Sequence, residues 1–131
     1  MSAVADMVEQ ARAAAPSMGP HEFALAAQRE GAVVVDVREA DERVAHGGIP
    51  GAVHLPRGLL EFRADPTSPT HDPRLGPQHT LLLYCTDSRR SALAVATLQA
   101  LGHRDVAHLA GGFASWGVAG LPITGKSGSP Y

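Results

Sequence analysis

Apolar side chains recur along this chain with two different periods, and the alternation between them outlines the fold. Val4, Met7, Val8, Ala11 and Ala15 fall at helical spacing and stop at Pro16. They predict an amphipathic helix over 3–15 that lies on the surface as an N-terminal extension, residues 1–16. Pro20 suits the first turn of a second helix running to about Glu30 and closed by Gly31. In contrast, Ala32-Val33-Val34-Val35-Asp36-Val37 is a nearly unbroken β-branched run, and Thr80-Leu81-Leu82-Leu83-Tyr84-Cys85 is an apolar run of similar length. Neither alternates, so both read as strands buried on two faces, the signature of a parallel sheet covered by helices on each side. Ala52-Val53-His54-Leu55 and Asp105-Val106-Ala107-His108-Leu109 are shorter strand candidates, and helical patterns occupy 39–46 and 89–101, the latter closed by Gly102. Strands and helices therefore alternate, which predicts an α/β domain over 17–124 with a central parallel sheet. Ligands of such sheets sit beyond the carboxyl ends of the strands. Cys85 lies at that end of its strand, immediately before a helix.

One stretch breaks the rhythm. Between Arg57 and His79 the chain carries Pro66, Pro69, Pro73 and Pro77 among Asp, Thr and Ser, with a helical turn expected at Gly58-Leu59-Leu60-Glu61-Phe62. A connection this long reads either as a wall of the site or as a surface excursion. Residues 125–131 are expected to form a flexible tail.

Composition narrows the function classes. The chain has 131 residues, room for one core, and is 44% hydrophobic and 18% charged, which suits a globular domain. Its 11 Lys and Arg are offset by 13 Asp and Glu, so no basic face for nucleic acid is expected. No apolar stretch approaches the ~20 residues that cross a bilayer, and the first residues lack a positive region followed by an apolar one, so no membrane association and a cytoplasmic location are expected. The seven His show none of the short paired spacings that place two imidazoles on one metal, and the single Cys builds neither a thiolate zinc site nor an internal disulfide. Neither a metal nor a cofactor is expected.

The candidate chemistry lies in Cys85-Thr86-Asp87-Ser88-Arg89-Arg90-Ser91, which runs from a buried strand into a helix. Backbone amides of the turn and of the helix start have no intrahelical partner, and Arg90 adds a permanent positive charge. Both favour an anion beside Cys85 and are expected to draw the ionisation of its thiol from the ordinary ~8.5 towards neutrality. Thr86 and Ser88 offer hydroxyl donors to the same cradle. Asp87 opposes the scheme unless Arg89 or solvent neutralises it. A lone Cys at a strand end is more often an inert buried thiol, but an inert thiol has no need of an Arg, two hydroxyls and a helix start beside it.

These residues, with others in order along the chain, resemble the rhodanese family. The matching pieces are Asp36-Val37-Arg38-Glu39 with Glu42, then Gly48-Ile49-Pro50-Gly51-Ala52 leading to Pro56, the loop from Cys85 to Ser91, and Gly111-Gly112-Phe113, Trp116 and Ala119-Gly120-Leu121-Pro122. The resemblance implies a five-stranded parallel sheet flanked by helices on both faces, with Cys85 as the sulfur-carrying nucleophile and residues 86–90 as the binding loop. It implies a sulfurtransferase: Cys85 takes the outer sulfur of a small anionic donor such as thiosulfate and passes it to cyanide or a thiol, a thioredoxin-like protein among the acceptors. Four residues separate Cys85 from Arg90, as in sulfur-handling members, whereas related phosphatases place one more there to fit phosphate. Three departures stand out: Gly48 where many members carry His, Ser88 where Gly is common, and Asp87.

The remaining motifs have plainer readings. Asp36, Arg38 and Glu42 suit an ion-pair network tying a strand to the next helix. Phe113 and Trp116, three apart, read as core, and Gly111 and Gly112 as permitting a close backbone approach. Two rivals to an active sulfurtransferase remain: a noncatalytic module that carries a persulfide or binds a partner through the 57–79 segment, and a phosphatase, which the loop length disfavours.

Overall fold

The computed structural model describes residues 2–125. Six helices surround five strands: α1 Ala3–Ala14, β1 Ser17–Met18, α2 Pro20–Ala26, β2 Ala32–Asp36, α3 Ala40–His46, β3 Val53–His54, α4 Leu60–Ala64, β4 Thr80–Tyr84, α5 Arg89–Ala100, β5 Val106–Leu109 and α6 Gly112–Val118. All neighbouring strands are parallel, in the order β1-β5-β4-β2-β3. The two β-branched or Leu-rich runs form adjacent central strands, with Ala32 opposite Thr80 and Asp36 opposite Tyr84. Alternate side chains along each strand enter different cores. Val35, Leu81, Leu83, Cys85 and Val106 pack with Ala15, Leu60, Leu75, Ala94, Val95 and Leu98 on one face. Val34, Leu82, Tyr84, Ala107 and Leu109 pack with Phe23, Ala26, Phe113 and Trp116 on the other. Helices thus cover both faces, and Phe113 and Trp116 are core as expected.

The structure corrects several boundaries. The second helix stops at Ala26 because the amides of Gln28 and Arg29 reach back only three residues, to the carbonyls of Leu25 and Ala26, and tighten the chain towards Gly31 at φ 81°. Ser17–Met18, absent from the strand candidates, is an edge strand on β5; two residues are too few to display a period. The 57–79 segment holds two 3-10 turns, Arg57–Leu59 and Pro73–Leu75, around α4, and it inserts Leu60, Ala64 and Leu75 into the core. It walls neither of the cavities beside the Cys85 loop described below. The expected tail lies outside the described residues apart from Gly125. Among the described residues, no helix is long and apolar enough to cross a membrane.

At the carboxyl end of β2 one buried carboxylate organises the surrounding chain. Asp36 accepts from the amide and Nε of Arg38 at 2.9 and 3.0 Å through Oδ1, and from the Arg38 guanidinium and the Tyr84 hydroxyl, both at 2.8 Å, through Oδ2. Arg43 of α3 approaches the same oxygen at 3.6 Å. Arg38 also donates to the carbonyl of Gly47 at 2.6 Å, and its guanidinium lies 4.4 Å from the Phe113 ring centroid. Burial, helped by the neighbouring Asp36 charge, pushes the Tyr84 phenol upward, so it remains a donor to Asp36 while accepting from the amide of Ile49 at 3.0 Å. Gly48 explains itself here: a Cβ would stand 3.1 Å from the Tyr84 hydroxyl. Replacing Asp36 by Ala leaves a fully buried guanidinium without its counter-ion and should cost about 3–5 kcal/mol, read as a lower midpoint in urea denaturation.

Candidate active site

Cys85 follows the last residue of β4, and the loop after it is held from behind by α6. The amide of Phe113 donates to the Cys85 carbonyl at 2.7 Å and that of Ala114 to the Thr86 carbonyl at 3.1 Å. In a trans peptide the N–H opposes the C=O, so the amides of Thr86 and Asp87 are turned away from α6. Gly112 makes this clamp possible. It sits at φ 65°, and a Cβ there would stand 2.4 Å from the Thr86 carbonyl oxygen.

The sulfur's own partners are fewer than expected. Among the described residues the amide that donates to Sγ is that of Ser91, at 3.3 Å, at the end of the predicted Cys85–Ser91 segment. The Ser91 hydroxyl stands 3.6 Å from the sulfur. Thr86 and Ser88 do not supply their hydroxyls to it. Thr86 Oγ1 donates to Glu42 at 3.1 Å, and Ser88 Oγ accepts from Arg12 at 2.9 Å. Cys85 has no exposed surface and shares its core with Val35, Val37 and Leu55.

The charges are also redistributed. Arg90 forms a two-pronged pair with Glu42, both bonds 2.8 Å, so its positive charge near Cys85 is already compensated. Glu42 therefore does not join the Asp36–Arg38 network; one turn into α3 it faces the loop instead, and there it also completes the helix's capping box with Glu39. Hydrogen bonding from Arg90, against the opposing effect of burial, lowers its carboxyl from 4.5 to about 2. Asp87 is turned outward onto Arg89, whose Nε stands 2.8 Å from it. Partial burial alone would raise its carboxyl, but the Arg89 amide and guanidinium reverse this and hold it below the ordinary range.

Two residues that the sequence reading left aside belong to this site. Arg12, on the helix read as a mere extension, donates to the Asp87 carbonyl at 3.2 Å as well as to Ser88 Oγ. Ser88 is the non-glycine residue with positive φ, at 80°, a conformation costing about 1–2 kcal/mol for an L residue, and Arg12 braces it. His108 on β5 is buried with Nδ1 2.9 Å from Ser91 Oγ. Only the strand pattern placing His108 on the face of Cys85 hinted at this contact. Among the cavities beside the loop are two lined by its residues Thr86 and Ser88. One, of about 480 Å³, is lined by Arg38, His46, Thr86, Phe113, Gly117 and Val118. The other, of about 160 Å³, is walled by Arg12, Ser17, Ser88, His108, Ala110 and Gly111.

Two outcomes follow from this geometry. Glu42 is depressed in the folded state, so its contribution to stability is full above pH 4.5 and is lost as the pH falls towards about 2. Glu42→Gln should therefore lose less stability than the parent over that interval, a difference of no more than about 1 kcal/mol for so exposed a pair, seen in thermal melts at each pH. Gly112→Ala should cost at least about 1 kcal/mol and speed alkylation of Cys85 by prising the loop from α6.

Comparison with known proteins agrees with this architecture. The family model for the rhodanese-like domain matches residues 19–119. A sulfurtransferase of Allochromatium vinosum is 33% identical over 102 residues, 78% of this chain and 87% of its own length. The thiosulfate sulfurtransferase GlpE of Pseudomonas entomophila is 37% identical over 98 residues, 72% of this chain and 79% of its own. Among solved structures, a Rhodopseudomonas palustris protein of unknown function, described as a possible tyrosine phosphatase, superposes with a TM-score of 0.86 at 35% identity over 94% of this chain and 95% of that one. A thiosulfate sulfurtransferase from Pseudomonas aeruginosa gives 0.72 at 30% identity over 92% of this chain and 22% of that one. On the match across residues 19–119 and the five-stranded parallel sheet that carries it, the chain belongs to the rhodanese-like domain family.

Proposed function

We propose that this protein is a sulfurtransferase that moves a sulfane sulfur from a small anionic donor of the thiosulfate type to a thiophilic acceptor by way of a persulfide on Cys85. The observation that carries this reading is the placement of the chain's single thiol where β4 gives way to α5, with the Ser91 amide donating to its sulfur. In the first half-reaction the Cys85 thiolate attacks the outer sulfur of the donor, the donor's sulfur–sulfur bond breaks, and sulfite departs with the electron pair. In the second, cyanide or a thiolate attacks the outer sulfur of the persulfide and the Cys85 thiolate leaves. Dividing one transfer into two displacements lowers each barrier. The relatives described as sulfurtransferases support this chemistry. Four residues between Cys85 and Arg90 count against the phosphatase reading suggested for the Rhodopseudomonas structure.

Burial of Cys85 sets a condition on the reaction. A donor meets the sulfur only when residues 86–90 swing outward, and opening the Arg90–Glu42 pair frees a guanidinium for an anion. The cavity that Thr86 shares with Phe113 and Val118 is the side from which an acceptor approaches. That same burial favours a second reading, a noncatalytic module whose thiol is a slow acceptor of sulfur. Incubation with thiosulfate followed by mass spectrometry separates the two. The proposal expects the gain of one sulfur atom at Cys85, its discharge by cyanide as thiocyanate over repeated turnovers, and loss of both in Cys85→Ser with the fold intact. No gain of mass sinks both readings, and a single gain without turnover favours the second.

A further inference from the structure

Ser91 meets the sulfur twice, through its amide at 3.3 Å and its hydroxyl at 3.6 Å, and something must decide where that hydroxyl points. In the resting protein that hydroxyl donates to the Ser88 carbonyl at 3.2 Å, accepts from the Cys85 thiol, and lies 2.9 Å from His108 Nδ1. If the hydroxyl spends its proton on the Ser88 carbonyl it gives the sulfur only a lone pair, which suits a thiol and not a thiolate. An imidazole donating from Nδ1 fills a lone pair of the same oxygen and is no rival for its proton, so the O–H has only the Ser88 carbonyl to leave when it turns to the ionised sulfur. We propose that His108 is a positioning residue for Cys85, fixing the Ser91 hydroxyl so that Ser91 presents both its amide and its O–H to the sulfur once the thiol has ionised. The proposal rests on the reading of Cys85 as the sulfur carrier and adds to it the group that readies the sulfur.

The protons balance simply. The S–H bond breaks and its proton passes to solvent. The imidazole stays neutral with its proton on Nδ1, donating to Ser91, and Ser91 donates to the sulfur. A neutral ring is what this position favours: burial first, then the charge of Arg12, holds His108 below its ordinary range. The charged groups facing this chain of contacts are Arg12 from α1, Arg90 from α5 with its partner Glu42 from α3, and Asp87 with Arg89 in the loop. On the neighbouring strand β1, Ser17 lies opposite His108 and carries no charge.

Alkylation of the reduced protein by iodoacetamide, followed across pH, tests this directly because it reads the thiolate whether or not sulfur is transferred. His108→Phe and Ser91→Ala should each raise the pH midpoint of alkylation and slow the reaction at neutral pH about tenfold, the worth of one hydrogen bond to a charged group. The double variant should be no slower than either single one, since both remove the same contact. His108→Asn, whose amide nitrogen stands where Nδ1 does, should restore most of the parent's midpoint, which a residue serving only as packing would not require. An unchanged midpoint in His108→Phe or in Ser91→Ala, additive effects in the double variant, or failure of Asn to rescue would each overturn the proposal. Should His108→Phe not fold, Ser91→Ala and His108→Asn still decide it. A parent that alkylates as described but never gains sulfur from thiosulfate would remove the carrier reading and leave the His108 contact standing; a parent that gains sulfur while His108→Phe alkylates identically would do the reverse.

Discussion

A carboxylate with no exposed surface, Asp36, holds this end of the molecule together. Its two oxygens receive the Arg38 side chain and amide and the Tyr84 hydroxyl, and through those partners it reaches the carbonyl of Gly47, the amide of Ile49 and the ring of Phe113. A buried ion pair offers little net stability over apolar packing, but losing one partner is severe, so its value here lies in what it orders. Tyr84 immediately precedes Cys85, Phe113 begins the clamp on the Cys85 carbonyl, and the chain at 47–49 packs over both. The position of the sulfur is therefore referred to β2 and α6 at once. The loop is an outgrowth of a rigid floor.

On that floor stand two further layers of control. Amides of α6 fix the direction of the first loop peptides, while Glu42 and Arg12, from α3 and α1, take hold of Arg90, Thr86 and Ser88 from outside. The resting loop is thus closed by its own charges. In the proposed reaction an anionic donor would have to compete with Glu42 for Arg90, and that competition would screen for ligands that carry charge where the carboxylate now sits. Burial of Cys85 behind this loop also keeps its thiol from oxidants in solution.

Much of this was legible in the residues themselves. Nearly unbroken apolar runs at 32–37 and 80–85, short and without alternation, point to strands buried on both faces, and the β-branched residues of the first favour strand over helix. The segment from Cys85 to Ser91 carries its chemistry in one contiguous stretch, so order along the chain suffices to mark it. What escaped depends on partners distant in sequence. Arg12 lies 75 residues from Asp87 and 76 from Ser88, and His108 17 from Ser91, and nothing local records those meetings. Glu42 was placed with Asp36 and Arg38 because they are near in sequence. Helical rotation carries its side chain to Arg90 instead, 48 positions away. Ser17–Met18 escaped for another reason, since two residues joined to β5 leave no pattern to find.

The brevity of that strand matters for how the protein behaves among its own copies. Both outer strands of the sheet, β1 and β3, are two residues long, while the β-branched and Leu-rich stretches most prone to self-association lie inboard, β4 between β2 and β5 and the carboxyl end of β2 between β4 and β3. A rim offering so few open backbone groups is a poor template for another chain. The sticky part of the sequence is thereby kept from nucleating aggregates.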